Sequence, residues 1–246
     1  MEVDFGFQKI EKEKKEPKVQ KVFSEVADKY DIMNDLMSFG LHRLWKNLFI
    51  NQIDYFHDKT LLDLAGGTGD IGKKFIDRGG KKAIISDLNQ NMLDKGKNNI
   101  DDNFNPKYLN DIEWVKANAE NLPFKDNSFD YCTISFGIRN VTNIKKAVSE
   151  SLRVLKPGGK FLCMEFSDID NKIISKIYEL YSFKIIPKIG KIVANSEQSY
   201  EYLVQSIKKF YSAEEFLEII QDSGYKFTKF EKLSFGIVAI HTGYKI

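Results

Sequence analysis

The sequence predicts an α/β protein built on a doubly wound, mostly parallel sheet of seven strands. From Thr60 to Phe166, short apolar runs alternate with amphipathic helical stretches, as in strands joined by crossover helices. Two more strand-like runs near the C-terminus predict a hairpin that closes the sheet. The composition fits this class, since 42% of the residues are hydrophobic and 29% are charged.

The chain is predicted to consist of an N-terminal arm and one domain, which begins with a helical segment ahead of the sheet. Residues 1–21 contain KIEKEKKEPK, with charges of both signs and a proline, which predicts a solvated, mobile arm. Residues 22–246 are predicted to form a single domain, because 246 residues favour one core with an insertion over two average domains. Within it, residues 22–55 show apolar positions at helical spacing, and Gly40 divides this helical segment.

The core elements follow in order. The predicted strands are Thr60–Leu64, Lys82–Asp87, Ile112–Lys116, Phe129–Ser135 and Lys160–Phe166, and the helices between them are Asp70–Asp77, Gln90–Lys97 and Asn143–Leu155. A proline and two glycines after Leu155 end the last of these helices. Residues 170–211 then form a helical insertion, and a helix over Ala213–Ser223 precedes the strand-like runs Lys226–Leu233 and Gly236–Gly243.

Charge, cysteine content and hydropathy exclude several classes of protein. A formal net charge of +2 does not indicate a nucleic-acid partner. Cys132 and Cys163 lie in apolar strand runs, so we expect buried thiols and a reducing, cytoplasmic compartment. No apolar run reaches the ~20 residues of a membrane span, and the first ten residues do not form a signal peptide. The sequence therefore predicts a protein that is soluble or lies on a membrane surface, and we expect no metal site.

The loop after the first core strand raises the main question of function. Gly67–Gly72 (GTGDIG) matches the fingerprint G-x-G-x-x-G of dinucleotide-binding proteins, which is a weak signal alone. The fingerprint glycine should follow its strand almost directly, whereas Ala65-Gly66 intervenes here. Asp63 near the strand end also suits a cationic ligand and would repel a pyrophosphate. Both features favour another adenosine ligand over a dinucleotide.

Polar residues after the next strands indicate which ligand this is. Asp87 ends the second strand, where a carboxylate can accept both ribose hydroxyls. Asn118-Ala119-Glu120 follows the third strand, where an amide and a backbone N–H can read an adenine edge. Together, D-x-A-G-G-T-G from Asp63, N-A-E-x-L-P-F from Asn118 and S-F-D from Ser128 resemble the class I S-adenosylmethionine methyltransferases.

This resemblance implies a Rossmann-like methyltransferase domain and S-adenosylmethionine as the cofactor. That ligand carries a sulfonium and an ammonium but no phosphate, which agrees with acidic residues around the loop. The residues expected to bind it are Asp63, Gly67, Thr68, Asp87, Asn118, Ala119 and Ser135. A dinucleotide in the same loop is the alternative.

Two further stretches narrow the resemblance. Val26–Lys46 (VADKYDIMNDLMSFGLHRLWK) and Thr133–Asn143 (TISFGIRNVTN) are similar to the ubiquinone/menaquinone biosynthesis C-methyltransferase family. The likeness runs from about residue 20 to the C-terminus. It implies methylation of a ring carbon of a polyprenylated quinol, either 2-polyprenyl-6-methoxy-1,4-benzoquinol or demethylmenaquinol. A methyltransferase for another small aromatic or lipid acceptor, and a structural member of a quinone-biosynthesis complex, are the alternatives.

The chemistry of such a transfer points to Arg139 and Asn140. A phenol has a pKa of about 10, so the site must stabilise a quinolate near neutral pH. Arg139-Asn140 follows the fourth strand, at the carboxyl end of the sheet, where ligands bind in open α/β folds. The guanidinium can stabilise the quinolate while Asn140 orients the ring hydroxyl. Alternatively, Arg139 pairs structurally with an acid such as Asp63.

We expect residues 22–55 to cover the cofactor and the substrate as a lid. His42 in this lid is a candidate general base, because histidine titrates near the working pH. A packing residue beside Trp45 is the alternative role for His42. Tyr30 and Asn34 are expected to shape the substrate pocket.

A basic amphipathic stretch completes the predictions. Residues 168–192 combine isoleucine and aromatic residues with five lysines, as in segments that lie on an anionic membrane surface. These helices could instead pack on the core, line a tunnel for the substrate tail or form a homodimer interface. We expect the protein in the cytoplasm, peripheral on the inner membrane face, or on the mitochondrial matrix side if the source is a eukaryote.

Overall fold

A β-hairpin and three helices precede the central sheet. The computed structural model describes residues 2–98, 110–194 and 196–246, without the side chains of Asp28, Tyr30, Asp31, Met37, Val193 and Ala194. Strands β1 (Glu2–Phe5) and β2 (Gln8–Glu11) pair antiparallel, and helices α1 (Lys12–Val26), α2 (Tyr30–Ser38) and α3 (His42–Ile50) follow them.

The central sheet has seven strands in the order β5-β4-β3-β6-β7-β9-β8. Its strands are β3 (Thr60–Leu64), β4 (Lys82–Asp87), β5 (Ile112–Lys116), β6 (Phe129–Ser135), β7 (Leu155–Phe166), β8 (Lys226–Leu233) and β9 (Val238–Tyr244). Strands β3 to β7 run parallel, whereas β9 is antiparallel to both β7 and β8. The mostly parallel sheet with a closing C-terminal hairpin is therefore confirmed.

Helices cover both faces of this sheet. They are α4 (Asp70–Asp77), α5 (Gln90–Asn98), α6 (Ile144–Val154), α7 (Lys172–Lys184), α8 (Ile186–Ala194), α9 (Glu197–Lys209) and α10 (Ala213–Asp222). Successive residues of β3 point to opposite faces, so Leu61 packs in one hydrophobic core and Leu62 in the other. Cys132 and Cys163 are buried free thiols, as predicted.

The strand order places a crevice between β3 and β6. From β3 the chain moves outward through β4 and β5, and then returns to add β6 and β7 on the other side. In open α/β sheets, ligands bind at such a reversal, outside the carboxyl ends of the strands. The glycine loop after β3 and the turn after β6 both lie there.

The N-terminal segment differs from the mobile arm predicted for residues 1–21. Its residues form the β1–β2 hairpin and most of α1, and the Phe5 ring stacks on Tyr202 of α9 with centroids 4.2 Å apart. Lys15 is buried and donates a hydrogen bond from Nζ to the Val141 carbonyl at 3.1 Å. Contacts with residues far along the chain thus stabilise this segment, although its charged sequence shows no local pattern that predicts a folded structure.

No helix within the described ranges is long and apolar enough to cross a membrane. Among the same residues, no group of three or more His, Cys, Asp or Glu side chains could hold a metal ion.

Candidate active site

The glycine loop turns tightly under the crevice. Gly67 and Gly69 adopt positive φ angles of 54° and 81°, which glycine reaches without steric cost. Ala65 also has a positive φ, 48°, and its Cβ would lie 2.5 Å from a Cβ at position 137. Gly137, in the turn after β6, therefore makes room for a loop that begins with alanine.

Asp87 holds this loop from the end of β4. Its Oδ2 accepts a hydrogen bond from the Gly67 N–H at 3.0 Å, and its Oδ1 accepts one from the Asn89 N–H at 2.8 Å. Burial raises the pKa of Asp87, while these N–H donors lower it. A carboxylate has about four acceptor positions, so Asp87 retains capacity for further donors such as ribose hydroxyls.

Asn118 and Ala119 line the same cavity after β5. Asn118 Oδ1 accepts a hydrogen bond from the Glu120 N–H at 2.8 Å. The Glu120 carboxylate in turn accepts from the N–H groups of Thr142 and Asn143, at 3.1 and 2.9 Å. These bonds fix the turn after β5 against the start of α6.

Helix α1 covers the cavity; the predicted lid, residues 22–55, contributes Phe23, whereas the part of α1 before residue 22 was not predicted to cover it. Glu16, Val19, Gln20 and Phe23 of this helix line it. The side chain of Asn89 attaches α1 to the end of β4, because its Nδ2 donates to the Gln20 carbonyl at 3.0 Å. Sequence reasoning missed Glu16 and Gln20 because they fall within the predicted arm.

Three predicted cofactor residues, Asp63, Thr68 and Ser135, do not line the cavity. Asp63 is buried, accepts from Thr133 Oγ1 at 2.8 Å through Oδ1, and has no hydrogen-bond partner at Oδ2. Burial raises its pKa to about 7. Ser135 has a buried hydroxyl without a partner, and Thr68 is half-buried in the loop. Gly67, Asp87, Asn118 and Ala119, by contrast, line the cavity directly.

Arg139 pairs with Glu165 rather than with Asp63. Its Nη1 lies 2.8 Å from Glu165 Oε1 and donates to the Phe136 carbonyl at 2.6 Å. Both side chains of this pair are at most 4% exposed. Arg139 lines a second cavity, between the N-terminal hairpin and α9, and not the cavity at the glycine loop.

Asn140 lies between these two cavities. It lines the cavity at the glycine loop, and its Oδ1 accepts a hydrogen bond from Tyr202, a residue of the second cavity, at 3.0 Å. Val141 and Thr142 line both cavities. The turn after β6 is therefore the wall that the two cavities share.

His42 and Asn34 do not line either cavity. His42 is buried, its Nε2 lies 2.9 Å from Asp35 Oδ1, and its Nδ1 has no partner. Burial lowers the pKa of His42, and the charge of Lys46 adds to this, so the imidazole is neutral at neutral pH. Asn34 likewise has a buried Nδ2 without a partner. The Tyr30 side chain lies outside the described part of the chain.

The cavity at the glycine loop fits S-adenosylmethionine better than a dinucleotide. Three carboxylates line it, those of Glu16, Asp87 and Glu120, and none of the described lining residues is Lys, Arg or His. The unpartnered Oδ2 of Asp63 adds a further buried acceptor beneath the loop. Such a lining favours a cationic ligand and opposes a pyrophosphate.

Comparison with known sequences agrees with this chemistry. The sequence model of the ubiE/COQ5 methyltransferase family matches residues 11–245. The chain is 51% identical over 249 residues to the ubiquinone/menaquinone biosynthesis C-methyltransferase UbiE of Rickettsia prowazekii, and the match covers 99% of this chain and 98% of that one. It is 42% identical over 280 residues to the mitochondrial 2-methoxy-6-polyprenyl-1,4-benzoquinol methylase of Homo sapiens, covering 100% and 85% of the two chains.

Solved structures of methyltransferases share the fold. A SAM-dependent methyltransferase from Thermotoga maritima superimposes with a TM-score of 0.59 at 18% identity, over 92% of this chain and 99% of that one. Another from Aquifex aeolicus gives a TM-score of 0.58 at 16% identity, over 89% and 97%. The family match covers nearly the whole chain. This protein, which takes its methyl group from S-adenosylmethionine, therefore belongs to the ubiE/COQ5 methyltransferase family.

Proposed function

We propose that this enzyme methylates a ring carbon of a polyprenylated quinol in ubiquinone or menaquinone biosynthesis. The acceptor is a 2-polyprenyl-6-methoxy-1,4-benzoquinol or demethylmenaquinol. The observation that carries this proposal is the 51% identity to a ubiquinone/menaquinone biosynthesis C-methyltransferase over 99% of the chain. That match includes the cofactor cavity, the turn after β6 and helices α7 to α9.

The residues proposed to bind the cofactor contact different parts of it. Asp87 accepts the ribose hydroxyls, and Asn118 and Ala119 face the adenine. Gly67, Thr68 and Ser135 shape the loop and its surroundings, and Asp63 supplies an unpartnered carboxyl oxygen beneath it. S-adenosylmethionine supplies an electrophilic methyl group on a sulfonium.

The turn after β6 is proposed to place the acceptor. Asn140 lines the cofactor cavity and orients a ring hydroxyl, and its own orientation is fixed by Tyr202. Arg139 is held by Glu165 and by the Phe136 carbonyl, so its charge is preorganised to stabilise the developing quinolate. Correct placement matters here, since holding the reacting atoms about 3–3.5 Å apart supplies much of the rate.

His42 and Asn34 are proposed to act in positioning. The hydrogen bond between His42 and Asp35 joins α2 to α3, and the lowered pKa keeps the imidazole neutral. Asn34 and Tyr30 belong to the same lid segment, residues 22–55, and are proposed to shape the substrate pocket through it. His42 as a general base is the alternative, in which case His42→Ala removes a histidine-like step from the pH–rate profile.

Methyl transfer to short-tailed quinols tests the proposed function. The enzyme is incubated with S-adenosylmethionine and benzoquinol or naphthoquinol analogues, each in reduced and oxidised form, and products are identified by mass spectrometry. We expect methylation of the reduced rings only, because only these are electron-rich enough. Methylation of other phenols or lipids but of neither quinol would favour the wider acceptor alternative. An enzyme that binds the cofactor and methylates nothing would favour a structural role in a complex.

We further propose that α7 contacts an anionic membrane surface, where a polyprenyl acceptor resides. Ile173, Ile177 and Leu180 lie on one stripe of this helix and are 71%, 63% and 61% exposed. Lys172 and Lys176 are exposed beside them. An exposed apolar stripe with lysines at its side is typical of helices that lie in the membrane interface. A second copy of this chain, or another protein of a quinone-biosynthesis complex, would be the alternative partner.

A further inference from the structure

Glu16 of α1 lines the cofactor cavity. Its Oε2 accepts a hydrogen bond from Asn118 Nδ2 at 3.0 Å. The helix is held at this place from both sides, by the bond from Lys15 to the Val141 carbonyl and by the bond from Asn89 to the Gln20 carbonyl. The Glu16 carboxylate is therefore a fixed part of the cavity wall.

The other two carboxylates of the lining accept hydrogen bonds from backbone N–H groups, whereas Glu16 accepts from the side chain that is proposed to face the adenine. Asn118 Oδ1 accepts from the Glu120 N–H, and the Glu120 carboxylate accepts from two N–H groups at the start of α6. Asp87 lies on another strand and accepts from Gly67 and Asn89. A carboxylate has about four acceptor positions, so Glu16 can keep its bond to Asn118 and accept another donor.

We propose that Glu16 accepts a hydrogen bond from the exocyclic amino group of the adenine, and so sets the preference of the enzyme for that base. This inference rests on the adenine position proposed above at Asn118 and Ala119. The amino group of adenine is a donor, whereas hypoxanthine carries a carbonyl oxygen at the same position. In hypoxanthine that oxygen would face a carboxylate, which places two acceptors together without a proton between them. A site that pairs with a polar group rejects the analogue lacking it.

The experiment compares two ligands that differ only at this position of the base. Binding of S-adenosylhomocysteine and of its deaminated analogue S-inosylhomocysteine is measured by titration calorimetry. We expect the unaltered protein to bind the adenine ligand about 10–100-fold more tightly, in line with the discrimination achieved by one polar contact in a partly exposed site.

Two substitutions at Glu16 separate recognition from packing. Glu16→Ala removes the acceptor, and we expect the ratio of the two affinities to fall to about threefold or less. Glu16→Gln keeps an oxygen for Asn118 and adds an N–H donor, so it should bind S-inosylhomocysteine more tightly than the unaltered protein does. Because each ratio is taken within one protein, a general weakening of the cavity cancels.

Glu13 provides the matched control. It lies on the same helix, is exposed and does not line the cavity, so Glu13→Ala and Glu13→Gln should keep the ratio of the unaltered protein. Equal binding of both ligands by the unaltered protein would overturn the proposal. So would Glu16 variants that weaken both ligands by the same factor. The titration contains no methyl acceptor, so a failed quinol assay would leave this result intact and would contradict only the proposed acceptor.

Discussion

Arg139 is buried in the protein interior as an ion pair with Glu165. The alternative to a catalytic role was a structural pair with an acid such as Asp63, and in the structure Glu165 on β7 lies 2.8 Å from the guanidinium. Replacing one member of a buried ion pair strands the other charge, at a cost of about 3–5 kcal/mol, whereas replacing both members is often neutral. A single substitution at Arg139 therefore tests folding and catalysis at once.

Replacing both members of this pair isolates the catalytic part. Arg139→Met with Glu165→Gln removes both charges, and the glutamine oxygen, in the place of Oε1, can still accept from the Phe166 N–H. We expect the double variant to unfold within about 1.5 kcal/mol of the unaltered protein, as for other neutral replacements of buried pairs. Its kcat on a reduced quinol should fall by about 100-fold or more, since one preorganised group that stabilises an oxyanion contributes about that much.

Urea unfolding and steady-state kinetics measure these two effects. Glu165→Gln alone serves as the control: it leaves the guanidinium unpaired and should lower the free energy of unfolding by about 3–5 kcal/mol, but the folded protein should retain more activity than the double variant. A double variant that is stable and turns over within a few-fold of the unaltered enzyme would show that Arg139 is structural.

Asp63 makes stability depend on pH in the direction opposite to most carboxylates. Burial raises its pKa to about 7, whereas an unfolded aspartate has a pKa of about 3.9. The folded state thus binds this proton more tightly. The stabilising contribution is complete below about pH 4 and is lost as the pH rises to about 7. The charges of Asp70 and Lys46 act on the same carboxyl in opposite directions.

Asp63→Asn should remove this pH dependence. Asparagine can still accept from Thr133 but does not ionise. Relative to the unaltered protein, the free energy of unfolding of the variant should increase by about 4 kcal/mol between pH 4 and pH 8, at about 1.4 kcal/mol per pKa unit. Urea titrations without cofactor across this range measure the difference. A difference that stays constant with pH would contradict the assigned pKa, and a loss of S-adenosylmethionine affinity at pH 8 would support a role of the charge.

The apolar periodicity of the sequence predicted the strands of the core correctly but did not predict the start of the N-terminal helix. Strands β3, β4, β5 and β6 have the predicted bounds, because buried parallel strands are short apolar runs that stand out from helical neighbours. Helix α1 begins at Lys12, ten residues before the predicted helical pattern. Its first half is stabilised by contacts such as that of Lys15 with Val141, more than one hundred residues away, which no local pattern reveals.

The difference between local patterns and distant contacts also explains which residues of the candidate site could be predicted. Asp87 ends its strand, and Gly67, Asn118 and Asn140 follow theirs. The carboxyl ends of parallel strands meet at one edge, so their joint position was predictable. Two partners were missed, Glu16 in the charged segment and Glu165 in an apolar strand. For Glu165 a signal existed, since a lone glutamate within KFLCMEF of a buried strand needs a cationic partner. No comparable signal distinguishes Glu16 from the other glutamates around it.

Helix α7 offers a prediction about membrane binding. Ile177→Glu places a charge in the middle of the exposed apolar stripe, where it disturbs no core packing. Because burying one such side chain contributes about 1.5–3 kcal/mol, co-sedimentation with vesicles of anionic phospholipid at low salt should weaken about tenfold or more. Phe227→Glu on β8, where the phenylalanine is 77% exposed, is the matched control and should bind like the unaltered protein. Equal sedimentation of Ile177→Glu and unaltered protein would exclude this helix as the contact.

The cofactor cavity is lined by segments of the chain that are distant in sequence. Helix α1 supplies one wall, and the turns after β3, β4, β5 and β6 supply the rest. A ligand in this cavity contacts the N-terminal segment and the sheet together, so its binding should stabilise both. The acidic lining makes this effect selective for a ligand without phosphate.

Thermal unfolding tests this selectivity on the intact protein. A ligand present at 100 times its Kd stabilises the folded state by about 2.7 kcal/mol. For a chain of 246 residues, each kcal/mol raises the midpoint by about 2–4 °C, so S-adenosylhomocysteine at that excess should raise it by about 5–10 °C. NAD at the same concentration should leave the midpoint unchanged, because its pyrophosphate would lie among the carboxylates of Glu16, Asp87 and Glu120. An equal rise with NAD would show that the glycine loop accepts a dinucleotide and that the acidic lining does not select the ligand.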